Sequence, residues 1–450
     1  MTERDNSDRA VTTLCFAAAA ILLGVALSLN GGFYSDRAIL LVTVVCLLCI
    51  TAVLLRKVRR EGAGFQRLVP VVLIAGLGYQ GYRLFLDAPS RWAVLVMLGS
   101  VAAVMVLKTQ TLKIWWVSLA LVIALVTAHC LIGAAAIRSL ANPNFDVYWF
   151  HQHSLEALMN GVNPHTLTVE ARPSDLAKYP ASYVRDGVVH IGFPYPPLSL
   201  FLALPGYLIA GDYRYSGLAA TALAGGLMVF ARRSRASFLA TALFLSTPAM
   251  IPMVRMGWTE PFVVLLFGLT VFSACRAPRL LPWALGLLIA VKQYAIFAAL
   301  SVFLLPIERN TLKNYAVLIG KALALAIAVT LPWMLWNVSG FLNDVVRFQF
   351  LVPFRWDALS YLVWLGYKTG AEPPALFGFI AVPLAVALML WRGARTPAGY
   401  AASVAFTFLA FFAFNKLAFI NYYFFVIGAM CFAVALAGES NSIPQESTTQ

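Results

Sequence analysis

Two charged residues stand out because their local sequence does not explain them. Lys292 lies between the apolar stretches 287–291 and 294–297, where an ammonium group is costly unless it lines a cavity or meets a partner. We therefore interpret Lys292 as functional rather than as a long side chain that merely reaches toward water. Asp146 follows a turn and precedes a helical pattern over 147–160. Its carboxylate suits either an N-cap or catalysis, and spacing alone leaves both open.

The composition restricts the surroundings of these residues. The chain has 450 residues, of which 61% are hydrophobic and 12% are charged, whereas soluble domains have about a quarter charged residues. A water-soluble enzyme is therefore excluded, and long unbroken apolar runs favour transmembrane helices over a β-barrel. The sequence predicts an all-α polytopic membrane protein.

The formal net charge of +14 comes largely from short basic loops. Examples are 56–67 and 232–235, which lie between apolar runs. Such loops are typical of the cytoplasmic side of a membrane protein, so we expect no nucleic-acid partner. The six cysteines lie in apolar runs and show neither a disulfide framework nor metal-ligand spacing. We expect a multi-pass plasma-membrane protein with both termini cytoplasmic.

The order of apolar runs predicts the path of the chain. Five runs precede a long polar stretch at 138–196, which we place on the outer side. The next run, 197–210, is short and contains Pro205 and Gly206. A re-entrant or interfacial helix there keeps the 232–235 loop inside. The whole chain then makes about 12 to 14 crossings. The remaining spans are expected near 215–231, 236–253, 260–275, 281–291, 293–305, 315–337, 374–391, 398–414 and 419–437.

With this topology, the polar residues that the basic loops do not explain fall on the outer side. They are Asp146, Tyr195, Arg255, Glu260, Lys292, Asp344, Arg347, Arg355, Asp357, Lys416 and Asn421. His151 and His153 are also close to Asp146, but alternate residues of a helix point in different directions, so joint metal ligation is not expected.

Several motifs resemble those of GT-C integral-membrane glycosyltransferases. They are Asp146-x-Tyr148, then Ala157-Leu158-x-x-Gly161-x-Asn163-Pro164, then Tyr195-Pro196-Pro197-Leu198, followed by the turn 256–260 and the segment 286–292 that ends in Lys292. The chain is most similar to glycosyltransferase family 87, the polyprenol-phosphate-mannose-dependent mannosyltransferases. The resemblance covers roughly residues 115–435.

The resemblance implies a GT-C-like helical bundle with a long outer loop that carries amphipathic helices. We expect N-terminal transmembrane helices at 1–113 that are additional to the family pattern. A catalytic module at 114–437 would follow, with a catalytic outer loop at 138–196 and a second outer loop at 338–373. The polar tail at 438–450 is expected to be disordered in the cytoplasm.

The resemblance also implies a reaction at the outer face of a cell-envelope membrane. A hexose, mannose by default, would pass from a polyprenyl-phosphate sugar to a hydroxyl of a lipid or glycan acceptor, with inversion. Asp146 would be the general base. The donor phosphate would be bound by Lys292, Arg255 and Lys416, and the sugar or acceptor by Tyr148, Tyr195, Glu260 and Asn421. Membrane lipids are expected partners, whereas neither a metal nor another cofactor is expected.

Two other classes share this composition. A flippase or transporter for lipid-linked sugars, or an envelope polysaccharide polymerase, would also be apolar with an outer loop. Transporters commonly contain two related halves with paired broken helices, and the sequence shows no such repeat. A membrane scaffold without activity would not need Lys292 at membrane depth.

Overall fold

The computed structural model describes residues 3–55, 63–88, 90–170 and 176–437 and is helical almost throughout. Most of the basic loop at 56–67, together with Asp175 and the tail at 438–450, lies outside the described residues. Six helices precede the polar stretch: α1 (Glu3–Leu29), α2 (Asp36–Leu54), α3 (Ala63–Asp87), α4 (Arg91–Val106), α5 (Thr109–Lys113) and α6 (Trp115–Arg138).

The polar stretch begins with the amphipathic helix α7 (Asp146–Met159) and ends in three very short strands. The strands β1 (Val169–Glu170), β2 (Val184–Arg185) and β3 (Val188–Val189) form an antiparallel sheet in the order β1–β3–β2. Asp186 and Gly187 join β2 to β3 with positive φ angles of 50° and 79°, which is typical of a tight hairpin. The all-α expectation did not include this small sheet.

The rest of the described chain is again helical. The helices are α8 (Leu198–Ala210), α9 (Arg214–Arg232), α10 (Arg235–Leu245), α11 (Met250–Met256), α12 (Glu260–Arg276), α13 (Leu281–Val291), α14 (Leu312–Trp336), α15 (Val338–Phe341), α16 (Phe348–Leu351), α17 (Tyr361–Thr369), α18 (Leu376–Arg392), α19 (Pro397–Ala413) and α20 (Ile420–Ala437). The 3₁₀ segments are Pro164–Thr166, Leu176–Lys178, Ala181–Tyr183, Pro278–Leu280, Gln293–Leu304 and Glu308–Asn310, and Leu342–Arg347 is a π-helix.

The helix α20 forms the centre of the bundle. Almost all of its side chains are buried, and it packs against α1, α10, α12 and α19. By contrast, α14 has most of its surface exposed, as expected of a helix that faces lipid. The first helix thus packs directly onto the last, so the N-terminal helices share the core of the C-terminal ones. The division into 1–113 and 114–437 stays a prediction.

The protein is a helical polytopic membrane protein. In the described ranges, six helices are long and apolar enough to cross a membrane, and the bent pair α10 and α11 would make a seventh. Shorter apolar helices of 10–17 residues accompany them, including α4, α18 and α19. A total of 12 to 14 crossings would require these shorter helices to span as well, so that number stays a prediction.

One expected span is interrupted. The sequence predicts a continuous helix over 236–253, but α10 ends at Leu245 and α11 begins at Met250, with a bend of 53° between them. Pro248 lies in the break, and proline lacks the amide hydrogen that an uninterrupted helix needs. At its other end, α11 is closed by Gly257, whose φ of 77° is in the left-handed region.

Four arginines converge at one end of the bundle, which we call the arginine end: Arg232, Arg233, Arg235 and Arg276. Each arginine there donates to a backbone carbonyl near the end of another helix. Arg232 donates to Leu436, Arg233 to Lys113 (3.2 Å), Arg235 to Leu107 (2.7 Å) and Arg276 to Ala231 (3.0 Å). The opposite end, where α6 ends and α9 and α12 begin, holds Arg138, Arg214 and Glu260. We call it the site end.

Both ends of α8 lie at the site end. Near its start, Ser199 contacts His151 of α7 at 3.3 Å. Just after its last residue, the carbonyl of Gly211 accepts a hydrogen bond of 2.7 Å from Gln152 of the same helix α7. A helix that crossed the bilayer could not contact one short amphipathic helix at both of its ends. This arrangement supports the expectation that 197–210 does not span.

The hairpin of α13 and the 3₁₀ segment Gln293–Leu304 places Lys292 at its tip. A 3₁₀ helix rises about 2.0 Å per residue, so the 12-residue segment extends about 24 Å. The first leg, Pro278–Val291, extends about 22 Å by the same reasoning. Both legs are shorter than the hydrocarbon core of about 30 Å. A hairpin that starts at one membrane surface would therefore end before the other, with Lys292 still within the hydrocarbon core.

The topology predicts which positions share a side of the membrane. We expect cysteines introduced at Thr168 and Ala210 to react with a membrane-impermeant maleimide from the same side, and a cysteine at Gln110 to react only from the other. All three residues are exposed, and the native cysteines are buried or half-buried. Labelling in sealed cells and in inverted vesicles checks the expectation. Reaction of position 210 on the same side as position 110 would show that α8 spans the membrane.

Candidate functional site

The candidate site is built around Lys292, at the point where α13 ends. Lys292 has an extended backbone (φ −152°, ψ 142°) that separates α13 from the following 3₁₀ segment. Its ammonium group donates to the hydroxyl of Thr259 at 2.7 Å and lies 3.3 Å from Oε1 of Glu260. The side chains of Lys292 and Glu260 are 7% and 0% exposed. A charge buried this deeply needs such partners.

Two tyrosines complete the surroundings of this ion pair. The Lys292 ammonium lies 4.5 Å from the ring centre of Tyr195, a favourable cation–π distance. Tyr294 donates its hydroxyl to Oε1 of Glu260 at 3.1 Å, and its ring contacts that of Tyr422. Asn421, just before Tyr422, is also buried. The structure thus brings three of the predicted site residues, Tyr195, Glu260 and Lys292, into direct contact.

The two carboxylate oxygens of Glu260 differ in their hydrogen bonding. Its Oε1 contacts Lys292 and Tyr294, but Oε2 is buried and has no hydrogen-bond partner in the described ranges of the chain. Buried acceptors in proteins nearly always have a donor. The free oxygen can therefore accept a hydrogen bond from a bound molecule.

Asp146 lies near this cluster, but it is exposed. It is the first residue of α7, and its Oδ1 accepts from the amide of Val147 at 2.8 Å. Phe145 occupies the N-cap position, so Asp146 does not have the capping role that its sequence position allowed. Burial raises the pKa of Tyr195 well above its ordinary value, and the negative charge of Asp146 raises it further. The Asp146 carboxylate therefore lies close enough to Tyr195 to influence it.

The buried face of α7 supports the site through His151. Its ring lies between Tyr195 and Tyr213, at centroid distances of 5.1 and 5.2 Å, and it contacts the carbonyl of Val147 at 3.0 Å. Burial lowers the pKa of His151 to about 3; the Val147 contact opposes this shift, and the Lys292 charge adds to it. His151 is therefore neutral at physiological pH and acts as a packing element.

Two glutamines fix the loop that carries Tyr195. Gln293, which follows Lys292, donates to the carbonyl of Pro194 at 2.8 Å and to that of Val345 at 3.2 Å. Gln349 donates to the same Pro194 carbonyl at 3.0 Å. One carbonyl thus ties together the Tyr195 loop, the Lys292 turn and the loop at 338–373. No sequence pattern pointed to these glutamines.

Arg214 is a further residue that the sequence did not single out. Its side chain is 1% exposed, and its Nε and Nη2 donate to the Asp212 carboxylate at 2.6–3.0 Å. The same guanidinium donates to the carbonyls of Leu140, Ala141 and Arg255 at 2.7–2.8 Å. Arg214 therefore holds the ends of α6 and α11 against the start of α9.

Tyr148 belongs to this arginine arrangement. The Arg214 guanidinium lies 4.9 Å from its ring centre, and the ring stacks on Tyr213 at 5.7 Å. The hydroxyl of Tyr213 in turn donates to the carbonyl of Gly257, in the turn that precedes Glu260. Tyr148 is half-buried, and the contacts described for it are with protein groups.

The two other predicted phosphate ligands differ in their surroundings. Arg255 lies in α11, five residues before Glu260, and its Nε is buried without a hydrogen-bond partner in the described part of the chain. Lys416 instead donates to the carbonyls of Phe350 and Val352 at 3.0 and 2.5 Å. These bonds commit two of its three donors to the backbone. The structure thus associates Arg255 with the turn before Glu260 and Lys416 with the loop at 338–373.

A buried histidine and aspartate join the two predicted outer loops. His165 Nδ1 lies 2.9 Å from Oδ2 of Asp344, and the two side chains are 1% and 3% exposed. Gly192 lies so close that a Cβ atom there would come within 2.7 Å of the Asp344 carboxylate. The sequence placed Asp344 on the outer side but did not pair it with His165.

The histidines of α7 lie on opposite sides of the helix. His151 is fully buried, whereas the side chain of His153 is 46% exposed and lies 3.3 Å from Glu156. Over the described ranges, no group of three or more His, Cys, Asp or Glu residues could hold a metal ion.

No protein-family model, curated protein or solved structure matches the chain.

We expect Arg214→Gln to destabilise the protein strongly. The substitution breaks a buried ion pair and removes donors from three carbonyls, which should cost about 3 kcal/mol or more. Thermal unfolding of the purified protein should therefore show a clearly lower midpoint. Arg347→Gln is the matched control, because Arg347 is exposed and its loss should cost less than about 0.5 kcal/mol. Equal midpoints for the two variants would contradict the structural role of Arg214.

His151 predicts a pH dependence of stability. Its pKa is about 3 in the folded protein and about 6.5 when unfolded. The unfolded state therefore binds more protons between these values, and stability falls as the pH drops from about 6.5 toward 3. This residue should account for a loss of about 2 kcal/mol between pH 7.5 and pH 5.

The measurement compares unfolding midpoints at pH 7.5 and pH 5. We expect His151→Phe to reduce the difference between the two midpoints relative to the wild type. His153→Phe serves as the control and should leave that difference unchanged, because the side chain of His153 is exposed. A wild-type difference that persists in His151→Phe would show that other groups cause it.

Proposed function

We propose that the protein is a membrane glycosyltransferase that moves a hexose, mannose by default, from a polyprenyl-phosphate sugar to an acceptor hydroxyl. One observation carries the proposal. Four separate segments of the chain bring Asp146, Tyr195, Glu260 and Lys292 together at one end of the bundle, around a buried ion pair. The motifs that resemble the GT-C transferases contain these same residues.

Lys292 suits the phosphate of a lipid-linked donor. The short legs of the hairpin suit a position below the membrane surface, where the phosphate of a polyprenyl lipid can approach from the bilayer. As the sugar leaves, negative charge grows on the phosphate, and a preorganised cation in a site of low polarity stabilises that charge. Arg255 would contribute through its unpartnered Nε. Lys416, already bound to two carbonyls, has a smaller part in this proposal than the sequence suggested.

Asp146 suits the role of general base. Because it is exposed, its carboxylate is accessible to an acceptor hydroxyl from the outer side. In the proposed step, the acceptor oxygen bonds to the anomeric carbon as the bond from that carbon to the phosphate oxygen breaks. The hydroxyl proton passes to Asp146, and the electron pair of the broken bond leaves with the polyprenyl phosphate. This single displacement inverts the anomeric centre.

One carboxylate is enough for this reaction. A phosphate leaving group departs as a stable anion, whereas glycoside hydrolysis needs a second carboxylic acid to protonate the leaving oxygen. Glu260 is therefore free for another purpose. Its unpartnered Oε2 can accept a hydrogen bond from a sugar hydroxyl, and Tyr195 and Asn421 would provide further contacts with sugar or acceptor. Tyr148 packs against the Arg214 guanidinium and in this way supports the site.

The decisive measurement is sugar transfer by purified protein. Radiolabelled polyprenyl-phosphate sugars, beginning with mannose and followed by glucose, galactose and arabinose, are incubated with a membrane-lipid acceptor extract. Asp146→Asn should lower transfer by about 10²- to 10⁴-fold, the usual contribution of a general base, while leaving the fold intact because Asp146 is exposed. Glu156→Gln is the control, since Glu156 is an exposed carboxylate on the same helix and should keep full activity.

Two outcomes would overturn the assignment. Equal transfer by wild type and Asp146→Asn would exclude Asp146 as the base. Movement of an intact lipid-linked sugar across the bilayer of proteoliposomes, with no new glycosidic bond, would instead favour a flippase or transporter.

A further inference from the structure

A groove of about 640 Å³ opens at the arginine end, far from the candidate site. It lies between α6, α9 and α12, with walls that include Ile123, Leu223 and Phe272. Its volume is within the range of about 300–1,000 Å³ typical of ligand pockets. The lining is apolar except for Arg233 and Arg276. Hydrophobic surface is common on a membrane protein, but a concave apolar surface with two cations is a more specific feature.

A pair of adjacent glycines explains why the groove is deep. In α9, a Cβ atom at Gly225 would come within 3.2 Å of Leu245 and Thr241, so this glycine permits close packing of α10. A Cβ atom at Gly226, which lines the groove, would have no neighbour within 4 Å. Glycine within a helix is unfavourable relative to alanine. Gly226 therefore leaves space that no described part of the chain fills.

The two arginines of the groove donate to backbone carbonyls. Arg233 donates to the carbonyl of Lys113 at 3.2 Å and lies 5.8 Å from the ring centre of Trp115. Arg276 donates to the carbonyl of Ala231 at 3.0 Å. Within the described ranges, no carboxylate is in ion-pair contact with either guanidinium. Trp115 beside them is typical of residues at the level of lipid head groups.

The length of the groove indicates what fits it. Along α6 it extends from Trp115 to Val126, which is about 17 Å of helix. This is close to half of a hydrocarbon core of about 30 Å, that is, the depth of one leaflet. A partner transmembrane helix would require a contact surface through both leaflets. One lipid chain from a single leaflet matches the dimensions, and a negatively charged head group matches the two arginines.

We propose that this groove binds one anionic membrane phospholipid, with an acyl chain against α6, α9 and α12 and its phosphate at Arg233 and Arg276. Basic pockets between transmembrane helices commonly bind such head groups. The proposal does not depend on the glycosyltransferase activity, because the groove lies at the opposite ends of the helices that form the candidate site.

Native mass spectrometry of the purified full-length protein tests the proposal. The probes are phosphatidylglycerol and phosphatidylcholine with identical acyl chains, added separately. We expect one bound phosphatidylglycerol, with an affinity roughly ten- to thirtyfold higher than that for phosphatidylcholine, because each basic residue near a head group contributes substantially to binding. The double variant Arg233→Gln, Arg276→Gln should lose this preference.

The control for charge is the double variant Lys313→Gln, Arg395→Gln. It removes two exposed cations that lie outside the groove, and it should keep the preference for phosphatidylglycerol.

A second pair of variants tests the apolar part of the groove. Gly226→Phe should block phosphatidylglycerol binding while both arginines remain. Gly99→Phe is the matched control, because Gly99 is an exposed glycine within α4 whose Cβ position also has no neighbour within 4 Å. Comparable unfolding midpoints of the two variants would show that lost binding in Gly226→Phe does not come from lost folding.

Three results would overturn the proposal. The first is equal affinity of the wild type for the two phospholipids. The second is a preference that survives both Gly226→Phe and the double arginine variant. The third is stronger binding of a polyprenyl phosphate that displaces phosphatidylglycerol from the wild type, which would assign the groove to a different lipid.

Discussion

The buried contact between Lys292 and Glu260 is the constraint on which the site end of the bundle depends. Two opposite charges that are nearly inaccessible to water are stable only if both remain paired and hydrogen-bonded. Lys292 must therefore stay at the tip of its hairpin, and Glu260 must begin α12 directly after the turn at Gly257. Thr259 and Tyr294 supply the additional hydrogen bonds. Any shift of one segment would leave an uncompensated charge in a region of low polarity, so this contact fixes the relative positions of the hairpin and α12.

A second rule follows from the many helix breaks. Each helix end leaves carbonyl groups without intrahelical partners, and at membrane depth water cannot satisfy them. In this protein, long polar side chains provide the donors. Arg214 donates to three carbonyls at the ends of α6 and α11, two glutamines donate to Pro194, and Lys416 donates to two carbonyls at the end of α16. The arginines at the other end do the same for neighbouring helices. Basic residues in this fold therefore stabilise broken helices in addition to any role in orientation.

The sequence predicted the parts of this structure that depend on local pattern. Apolar runs located most helices to within a few residues, the motif around Asp146 gave α7, and the polar interruption at Lys292 gave the hairpin. The break at Pro248 could also have been expected, because proline interrupts helices, and Asp186-Gly187 is a recognisable hairpin signal. The roles of Arg214, Gln293 and Gln349 could not be predicted, since each depends on carbonyls more than 40 residues away in the chain. The pairing of His165 with Asp344 spans 179 residues and was inaccessible for the same reason.

Asp146 and Lys292 differ in their exposure to water, and this difference matches the proposed reaction. Asp146 is exposed at the start of an amphipathic helix, whereas Lys292 is buried below it, and Tyr195 lies against the lysine and close to the aspartate. An acceptor hydroxyl comes from the aqueous side and needs an ionised base. A lipid phosphate comes from the membrane and needs a cation that is not already screened by water. Under the proposed function, each substrate would therefore meet the charge it requires in the environment from which it arrives. The ring of Tyr195 would lie between these two environments, at the point where the sugar is transferred from the phosphate to the acceptor.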